Sequence, residues 1–475
     1  MRSTFHGPRG WSRAGLLLAL LLPLTAGAAG VSVDELGTVR NDTLVVSRDR
    51  VIAAALAHNE MLAAADAMAD AAGADALSAW RGFLPHVSLG AYRVRSNDPL
   101  YAFGFKLNQR NATMADMAAP PMGDAVNHPG VGENNITQIK IQQPVFNGGM
   151  SLFGKKAADA MARAARYDHR RAEETVRFQA VQAYEGLVLA RAYQRVMERA
   201  LASAEGHLKQ AQAMVDNGLA TQADLLQARA YRDGVRQKLI EMRNMVATAG
   251  ENIKLLAAVD TDLPIAPDPA DVEATPDTTV AAILDGAGSR SDVQALREKA
   301  AAAAAMVKVA RGSLLPHLNL QAEKDWYAAD TFLGNDADSW VFGIYATWDI
   351  FSGLQNVGAL KKARAQSRAA GHAADFQSRR ARTEAVQAAL DLRAAREKLN
   401  VAREAVAAAR EGLRIMENMY REGLTSMVDL LDVQAGATMA EGNLVQAEHD
   451  LRVAMARVEF TGGTLAAADN GETSR

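Results

Sequence analysis

The sequence predicts an α+β chain that is built twice, with very long helices and short strands in each copy. Two observations predict this: several segments occur twice at a fixed spacing, and prolines are confined to a few stretches. Beyond residue 30, prolines lie only within 85–144, within 264–276 and at 316. The intervals between these prolines are alanine-rich and charged, as helices require.

The two longest proline-free intervals predict helices at about 149–216 and about 355–421. Some 65 residues at about 1.5 Å each make a rod of roughly 100 Å, whereas helices of globular proteins average about 11–12 residues. Rods of this length cannot be elements of an ordinary globular core, so they need lateral partners along their length.

The duplication is visible in three pairs of segments. They are "LPHVSL" (84–89) with "LPHLNL" (315–320), "VFNGG" (145–149) with "IFSGL" (350–354), and "AVQAYEGLVLAR" (180–191) with "AVQAALDLRAAR" (385–396). The first pair is offset by 231 residues and the other two by 205, so the first copy holds 26 more residues between its strands. Each copy therefore reads helix, strand, loop, strand, very long helix, tight turn, helix.

This repetition divides the chain into five parts. They are a signal peptide (1–28), a first repeat (29–257), a linker (258–289), a second repeat (290–461) and a C-terminal tail (462–475). The first repeat has strands at about 84–95 and 135–146, and ends in a helix at about 221–257. The second has strands at about 317–327 and 339–350, and ends in a helix at about 426–460.

The first 28 residues have the features of an export signal. Arg2, Arg9 and Arg13 precede an apolar run at 14–24, and small residues at 26–28 suit cleavage. A retained anchor is the alternative, although the run is short for a bilayer span. The chain has 52 basic and 55 acidic residues, so without these arginines the mature charge is 49 − 55 = −6. That balance gives no support for nucleic-acid binding.

The composition excludes several chemistries. The chain has no cysteine, so disulfides, thiolate metal sites and lipidation of an N-terminal cysteine are excluded. No metalloprotease, phosphate-loop or serine-hydrolase motif is present. His86 and His317 occupy matching positions, which duplication explains better than metal binding. We therefore expect no enzyme activity, no cofactor and no metal site.

The β segments alternate between apolar and polar residues. The predicted apolar faces contain Trp340, Phe342, Ile344, Ala346, Trp348 and Ile350 in the fourth strand, and Ile139, Ile141 and Val145 in the second. This alternation fits transmembrane strands and also fits a half-buried soluble sheet. Four strands cannot close a barrel, and open edges do not survive in lipid. If the strands lie in a membrane, several chains must pool them.

The mature chain combines the duplicated plan and the two glycine turns with the segments "QPVFNGG" and "WDIFSG". In this combination, nearly all of the mature chain resembles the TolC-like family of outer-membrane efflux ducts. The resemblance implies an α+β membrane protein that forms a trimer. Each chain would contribute four strands to a 12-stranded β-barrel in the outer membrane. The helices would continue as a long α-helical barrel across the periplasm, with 260–290 in an irregular belt. The extra segment at 97–132 would be an extracellular loop, and its "YAFGF" would either fold over the pore mouth or pack locally.

Two matching turns, "NGLATQADLLQ" (217–227) and "REGLTSMVDLLD" (421–432), follow the long helices. Gly218 and Gly423 suit the left-handed position after a helix. With Leu219 and Leu424 they would be exposed tips. The resemblance implies that such tips dock the helical hairpin of a periplasmic adaptor, although turn chemistry alone explains the glycines.

The carboxylates in these two turns can be interpreted in two ways. Thr221 with Asp224, and Ser426 with Asp429, have the spacing of capping boxes. Capping does not explain Asp432, which replaces the Gln227 of the first copy. In a trimer, three copies of Asp429 and Asp432 would form a ring that attracts cations. The resemblance places this pair at a constricted periplasmic entrance; the alternative is a cap and solvated surface.

The resemblance also implies how the entrance is held closed. Tyr420 would donate a hydrogen bond to the carboxylate of Asp224. The best-known family member has a basic residue where this chain has Thr425, so closure here would differ in detail, and Arg421 is a possible substitute.

The function that follows is an outer-membrane exit duct, conducting passively and gated at its periplasmic entrance. Because no ATP-binding motif is present, a periplasmic adaptor and an inner-membrane pump or type I secretion transporter would supply energy. We therefore expect the chain to form a homotrimer and to contact these partners and outer-membrane lipid. One alternative is a structural coiled-coil protein of the envelope that acts as a spacer or adhesin. Another is a periplasmic adaptor, which is less consistent with the presence of two hairpins. Drugs, metal ions and polypeptides all remain open as cargo.

Overall fold

The structure, a computed structural model, describes residues 32–118, 127–269 and 287–463. The predicted signal peptide (1–28) lies outside the described residues. So do most of the predicted linker (258–289) from residue 270 onward and all but the first two residues of the predicted tail (462–475).

Two helical hairpins of equal size dominate the chain. The α-helices bounded within the described ranges are α1 (Val33–Leu36), α2 (Arg48–His58), α3 (Glu60–Ser78), α4 (Pro99–Asn108), α5 (Met114–Ala118), α6 (Met150–Asp216), α7 (Gln222–Ala257), α8 (Ser291–Gly312), α9 (Gln355–Arg421) and α10 (Met427–Gly462). The hairpins α6–α7 and α9–α10 each pair a helix of 67 residues with one of 36. None of the helices in the described ranges combines the length and the apolar composition needed to cross a membrane.

Small side chains let these helices pack closely. Helix α6 packs against α7, α8 and α10, and α9 packs against α8 and α10. Ala180 and Ala211 of α6 and Ala381 and Ala385 of α9 have no exposed surface. Alanine seams allow long helices to lie side by side, so each rod finds the lateral partners that its length requires.

The strands form two separate sheets. They are β1 (Gly37–Arg40), β2 (Thr43–Val46), β3 (His86–Ser96), β4 (Gly132–Asn147), β5 (Ile265–Pro267), β6 (His317–Ala328) and β7 (Ala337–Thr347). The larger sheet has the order β3-β4-β6-β7 and is antiparallel throughout. Its central β4–β6 ladder joins the two repeats, and its edge strands β3 and β7 pair with no further strand in the described ranges.

One face of the larger sheet is apolar and the other is polar. Register places Val87, Ile141, Ala322 and Phe342 in one row across the sheet, and Leu89 and Ile139 in the next row. On the opposite face, the Gln138 side-chain amide donates to the carboxylates of Glu323 and Asp325. The apolar face is exposed in the single chain: Phe342 is 59% exposed and Ile344 is 64% exposed.

A β-bulge corrects one expectation about these faces. The register between β4 and β6 shifts between Pro144 and Phe146, which leaves Val145 as the extra residue. Phe146, opposite Leu318, therefore continues the face of Ile141, whereas Val145, which was predicted to do so, is unpaired at the bulge. Proline has no N–H to donate, so a bulge accommodates Pro144 within the sheet.

The smaller sheet, in the order β1-β2-β5, was not predicted. Strand β5 lies in the predicted linker and pairs in parallel with β2, Leu44 opposite Ile265. Both of these residues are buried in the core cluster that contains Tyr184 of α6 and Ile253 of α7. The part of the linker that the structure describes is therefore attached to the hairpin α6–α7.

The extra segment of the first repeat contains α4 and α5 rather than only loop. Asp98 caps α4 by accepting hydrogen bonds from the N–H groups of Leu100 and Tyr101. Phe105 and Ala102 of the "YAFGF" segment, which lies within α4, are buried, and both lie beside Gly132 at the start of β4. Of the two alternatives for this segment, local packing is the one observed for Phe105.

Candidate functional site

The turn after α6 closes with paired backbone hydrogen bonds. The N–H of Leu219 donates to the Met214 carbonyl at 2.8 Å. The N–H of Gly218 donates to the Val215 carbonyl at 2.9 Å. This pattern is a Schellman motif, which needs a left-handed residue, and Gly218 has φ of +70°.

The turn after α9 repeats this geometry. Leu424 donates to Met419 at 2.8 Å, and Gly423, with φ of +72°, donates to Tyr420 at 3.1 Å. A Cβ atom built on either glycine would meet no atom within 4 Å. Leu219 and Leu424 are 73% and 71% exposed, so the predicted tip residues do project from the ends of the hairpins.

Helix α7 begins with a complete capping box. The Thr221 hydroxyl accepts from the N–H of Asp224 at 3.3 Å. The Asp224 carboxylate in turn accepts from the Thr221 N–H at 2.9 Å and from its hydroxyl at 2.7 Å. Aspartate thus fills the role that glutamate usually has in this motif.

Helix α10 begins with a related cap that perturbs its carboxylate. Asp429 accepts from the Ser426 hydroxyl at 2.6 Å and from the Thr425 hydroxyl at 3.3 Å. Hydrogen bonds from the Ser426 side chain and backbone, and then from Thr425, lower the pKa of Asp429 below its usual value of 3.8. This carboxylate therefore remains ionised at any physiological pH.

Asp432 lies one turn beyond Asp429 and takes no part in the cap. Both side chains are exposed, and residues three apart on a helix share a face. Asp432 makes no hydrogen bond or ion pair with another residue in the described ranges. The structure therefore holds two neighbouring carboxylates at the tip of the second hairpin, where the first hairpin has Asp224 and Gln227.

Tyr420 does not make the hydrogen bond expected of it. Its ring is 4% exposed, and its hydroxyl is buried without a partner among the described residues. Burial, and then the negative charge of Asp224, raise the pKa of the Tyr420 hydroxyl. Within the chain, the Asp224 carboxylate instead accepts from Thr221, as described above.

Thr425 and Arg421 differ in what they contact. Thr425 binds Asp429 through its hydroxyl, as described above. Arg421 instead donates to the side chain of Asn418 at 3.4 Å on its own helix. Within the described residues of the single chain, Arg421 thus makes no ion pair with the tip carboxylates.

An apolar cluster joins the two tips. Leu225 and Ala228 of α7 pack with Tyr420, and with Met427 and Leu430 of α10, and all are buried. The same cluster includes Ala211 of α6. The two hairpins therefore meet at their tips through side chains, which fixes the tip carboxylates relative to each other.

Sequence reasoning missed a buried polar cluster farther along the hairpins. The Ser203 hydroxyl donates to Gln434 at 2.8 Å, and His207 Nε2 lies 3.3 Å from that hydroxyl and 3.4 Å from Gln434 Oε1. His207 and Gln434 are both buried, and Glu417 lies 4.0 Å from His207. No local pattern marks residues 227 positions apart in the chain as partners.

Comparisons with known proteins agree with this architecture. The profile of the outer membrane efflux protein family matches residues 51–259 and 287–464. The chain is 25% identical over 374 residues to the outer membrane efflux protein BepC of Brucella suis biovar 1 (strain 1330), an alignment that covers 76% of this chain and 81% of BepC.

Solved structures are similar in fold along most of the chain. The outer-membrane channel OprN matches with a TM-score of 0.75 and 21% identity, covering 88% of this chain and 90% of OprN. VceC from Vibrio cholerae matches with a TM-score of 0.74 and 20% identity, covering 88% of this chain and 96% of VceC. At these identities the likeness establishes the fold.

The two-faced sheet, paired long helices and duplicated turns give this chain the fold of TolC-like outer-membrane channels. Because the family profile matches most of the sequence, the chain belongs to the outer membrane efflux protein family. The resemblance seen in the sequence is thereby confirmed. The family is one of efflux channels rather than of enzymes.

Proposed function

We propose that three copies of this chain form a passive exit duct through the outer membrane. Each copy would contribute β3, β4, β6 and β7 to a closed barrel, and the hairpins would continue as a helical tube in the periplasm. The single observation that carries the proposal is the larger sheet, which has one exposed apolar face and, among the residues that the structure describes, two unpaired edges.

The physical reason is that neither feature is stable in an isolated chain. Unpaired strand edges leave N–H and C=O groups without partners, and lipid supplies none. Pairing β3 of one chain with β7 of the next removes every edge at once. The exposed side chains of Trp340, Phe342 and Ile344 would then face lipid. The polar face with Gln138 and Glu323 would line the lumen.

The entrance would lie at the hairpin tips. Three-fold symmetry would bring three copies of Asp429 and Asp432 around the axis, and the hydrogen bonds from Ser426 and Thr425 that lower the pKa of Asp429 favour its ionised form. A ring of carboxylates repels anions and binds multivalent cations. Tyr420 and Asp224 would lie in the wall just behind this ring, and Tyr420 would support it through the apolar cluster.

The exposed tips would be the docking site for a periplasmic adaptor, which would link the duct to an inner-membrane pump or secretion transporter. Support comes from the exposure of Leu219 and Leu424 beside Gly218 and Gly423. A Leu219→Ser/Leu424→Ser variant should keep its conductance but lose copurification with an adaptor.

The alternative, an envelope spacer or adhesin without channel activity, is less consistent with these features. A spacer needs the rods but has no use for an apolar sheet face with two unpaired edges. The family match also favours a channel over a spacer.

The test is single-channel conductance of the purified protein in a planar bilayer. We expect a small conductance that a multivalent cation blocks. The Asp429→Ala/Asp432→Ala variant should conduct more and lose the block. Glu422→Ala, which removes a carboxylate from the same turn but from outside the pair, should behave as wild type.

The outcomes separate the parts of the proposal. If wild type and the double variant conduct alike, the duct stands and the two aspartates are only cap and surface. If the protein neither inserts nor conducts, the duct proposal fails and the spacer becomes the better reading.

A further inference from the structure

A pocket of about 380 Å³ lies between α6 and α8, just beyond the ends of the strands. Its apolar wall is the ring of Phe153. A methyl group placed on Gly149 would lie only 3.4 Å from this ring, and Gly149 follows β4 by two residues. The pocket is therefore held at the junction between sheet and helices.

Two lysines from different helices converge on this ring. The ammonium nitrogen of Lys156 lies 5.6 Å from the ring centre of Phe153, and that of Lys308 lies 4.9 Å from it. Neither lysine makes an ion pair with any carboxylate in the described ranges. Both lysines are exposed, and the ring attracts both charges, so an anion between the two ammonium groups would be stabilised.

The nearest carboxylates already have partners. Arg163, which also lines the pocket, pairs with Glu298 at 2.8 Å. Asp159 pairs with Lys155 at 2.5 Å. Counting these residues together, four cations (Lys155, Lys156, Arg163 and Lys308) face two anions (Asp159 and Glu298), a local excess of 4 − 2 = +2.

Duplication does not account for the pocket. With the offset of 205, Phe153 corresponds to Gly358 and Lys156 to Lys361. With the offset of 231, Lys308 corresponds to Leu77. The second copy therefore lacks both the ring and one of the two lysines, so the first repeat alone carries the complete set.

The geometry points to a phosphate-binding site formed by Lys156 and Lys308, whose ammonium groups are held near each other by the ring of Phe153. A phosphate group spreads its charge over several oxygens, so it can accept from both ammonium groups at once. Its most direct source is the head group of an acidic phospholipid. That assignment rests on the proposed function, because only strands that span the membrane place the pocket at the depth of the periplasmic-side head groups.

Lipid binding to the full-length protein in a non-ionic detergent tests the site. Native mass spectrometry would count bound phosphatidylglycerol and, separately, the zwitterionic phosphatidylcholine. We expect wild type to retain phosphatidylglycerol preferentially, and Lys156→Gln/Lys308→Gln to bind it at least about tenfold more weakly. Lys156→Arg/Lys308→Arg, which keeps both charges, should retain binding.

The matched control is Lys361→Gln/Lys362→Gln, which removes two exposed lysines from the equivalent part of α9. It should change phosphatidylglycerol binding by less than about twofold. If this control loses as much binding as Lys156→Gln/Lys308→Gln, the effect is general electrostatics and the site is refuted. Unchanged binding in Lys156→Gln/Lys308→Gln would refute it too.

Inorganic phosphate, titrated by calorimetry without added lipid, separates the two sources. If phosphate binds wild type but not Lys156→Gln/Lys308→Gln, and phosphatidylglycerol shows no preference, the site takes free phosphate groups. These measurements need no channel activity, so a protein that fails to conduct would still report on the pocket. The conductance of Lys156→Gln/Lys308→Gln should equal that of wild type.

Discussion

The hydroxyl of Tyr420 is buried near Asp224 but does not donate a hydrogen bond to it. The carboxylate of Asp224 binds Thr221 instead, so the charge acts on the tyrosine only through space. A buried polar group without a partner destabilises the folded state by about 1–3 kcal/mol. The tyrosine is therefore anchored by its ring, which lies in the apolar cluster between the two tips.

Removing this hydroxyl should not weaken the fold. We expect Tyr420→Phe to leave the free energy of unfolding unchanged or to raise it by up to about 1 kcal/mol. Tyr231 is the matched control, since it packs on the same cluster and its hydroxyl bonds to Thr438. Tyr231→Phe should lose about 1 kcal/mol in the same denaturant titration. A destabilised Tyr420→Phe would mean that assembly provides the hydroxyl with a partner.

A buried ion pair between the hairpins should be sensitive to the loss of one partner. Arg452 of α10 donates to Glu185 of α6 at 2.5 Å, and their side chains are 15% and 5% exposed. Glu185→Leu leaves a buried charge unpaired and should cost about 3–5 kcal/mol of unfolding free energy. Glu185→Leu/Arg452→Leu should recover most of it, because leucines fill the space without a charge.

The exposed pair Arg393–Glu397 gives the comparison, with side chains 80% and 68% exposed. Glu397→Leu should change the free energy of unfolding by less than about 1 kcal/mol. If Glu185→Leu and Glu397→Leu lose equal amounts of unfolding free energy, burial is not the reason for the effect of Glu185→Leu.

The glycine at the second tip should affect the stability of the fold only through its backbone conformation. Gly423 has φ of +72°, and a Cβ atom there would meet nothing within 4 Å. Gly423→Ala should therefore cost about 1–2 kcal/mol of unfolding free energy, the strain of an L-residue in the left-handed region. Gly412, exposed inside α9, is the control with the opposite sign. Gly412→Ala should stabilise by up to about 1 kcal/mol, and a loss there would contradict this account.

Asp429 should make stability depend on pH at the acidic end. Its folded pKa is below the usual 3.8, so the unfolded chain binds the proton more tightly. The contribution is thus fully present well above pH 3.8 and declines as the pH falls through 3.8 toward the lower folded value. In thermal unfolding, Asp429→Asn should lose less stability than wild type between pH 6 and pH 3. Ser426→Ala, which removes the hydroxyl that donates to Asp429, should also lose less stability than wild type over this range; if it follows wild type instead, the cap is not the cause.

The long elements could be predicted from sequence because their causes are local. Alanine-rich, proline-free stretches predict α6 and α9, and Gly218 and Gly423 mark where they end. The caps at Thr221 and Ser426 were predictable for the same reason, since each joins residues three apart.

The features that sequence did not reveal depend on distant residues. Strands β1, β2 and β5 are three or four residues long, too short for an alternating pattern, and β2 pairs with a strand more than 200 positions away. The bulge at Val145 and the unpaired Tyr420 hydroxyl depend on packing, which the spacing of residues in the sequence does not reveal. Likewise, the convergence of Lys156 and Lys308 on one ring depends on how α6 meets α8.

The ladder between β4 and β6 determines when this protein can finish folding. It pairs Asn135 with Ala328, a separation of 193 residues, whereas each helical hairpin forms between neighbours in the chain. Loop closure over such a distance is entropically costly and slow, so local helices form first. The sheet cannot be completed until both repeats have been synthesised. Until then the edges of β3 and β4 are open to aggregation, and a chaperone that covers them would protect the chain in transit.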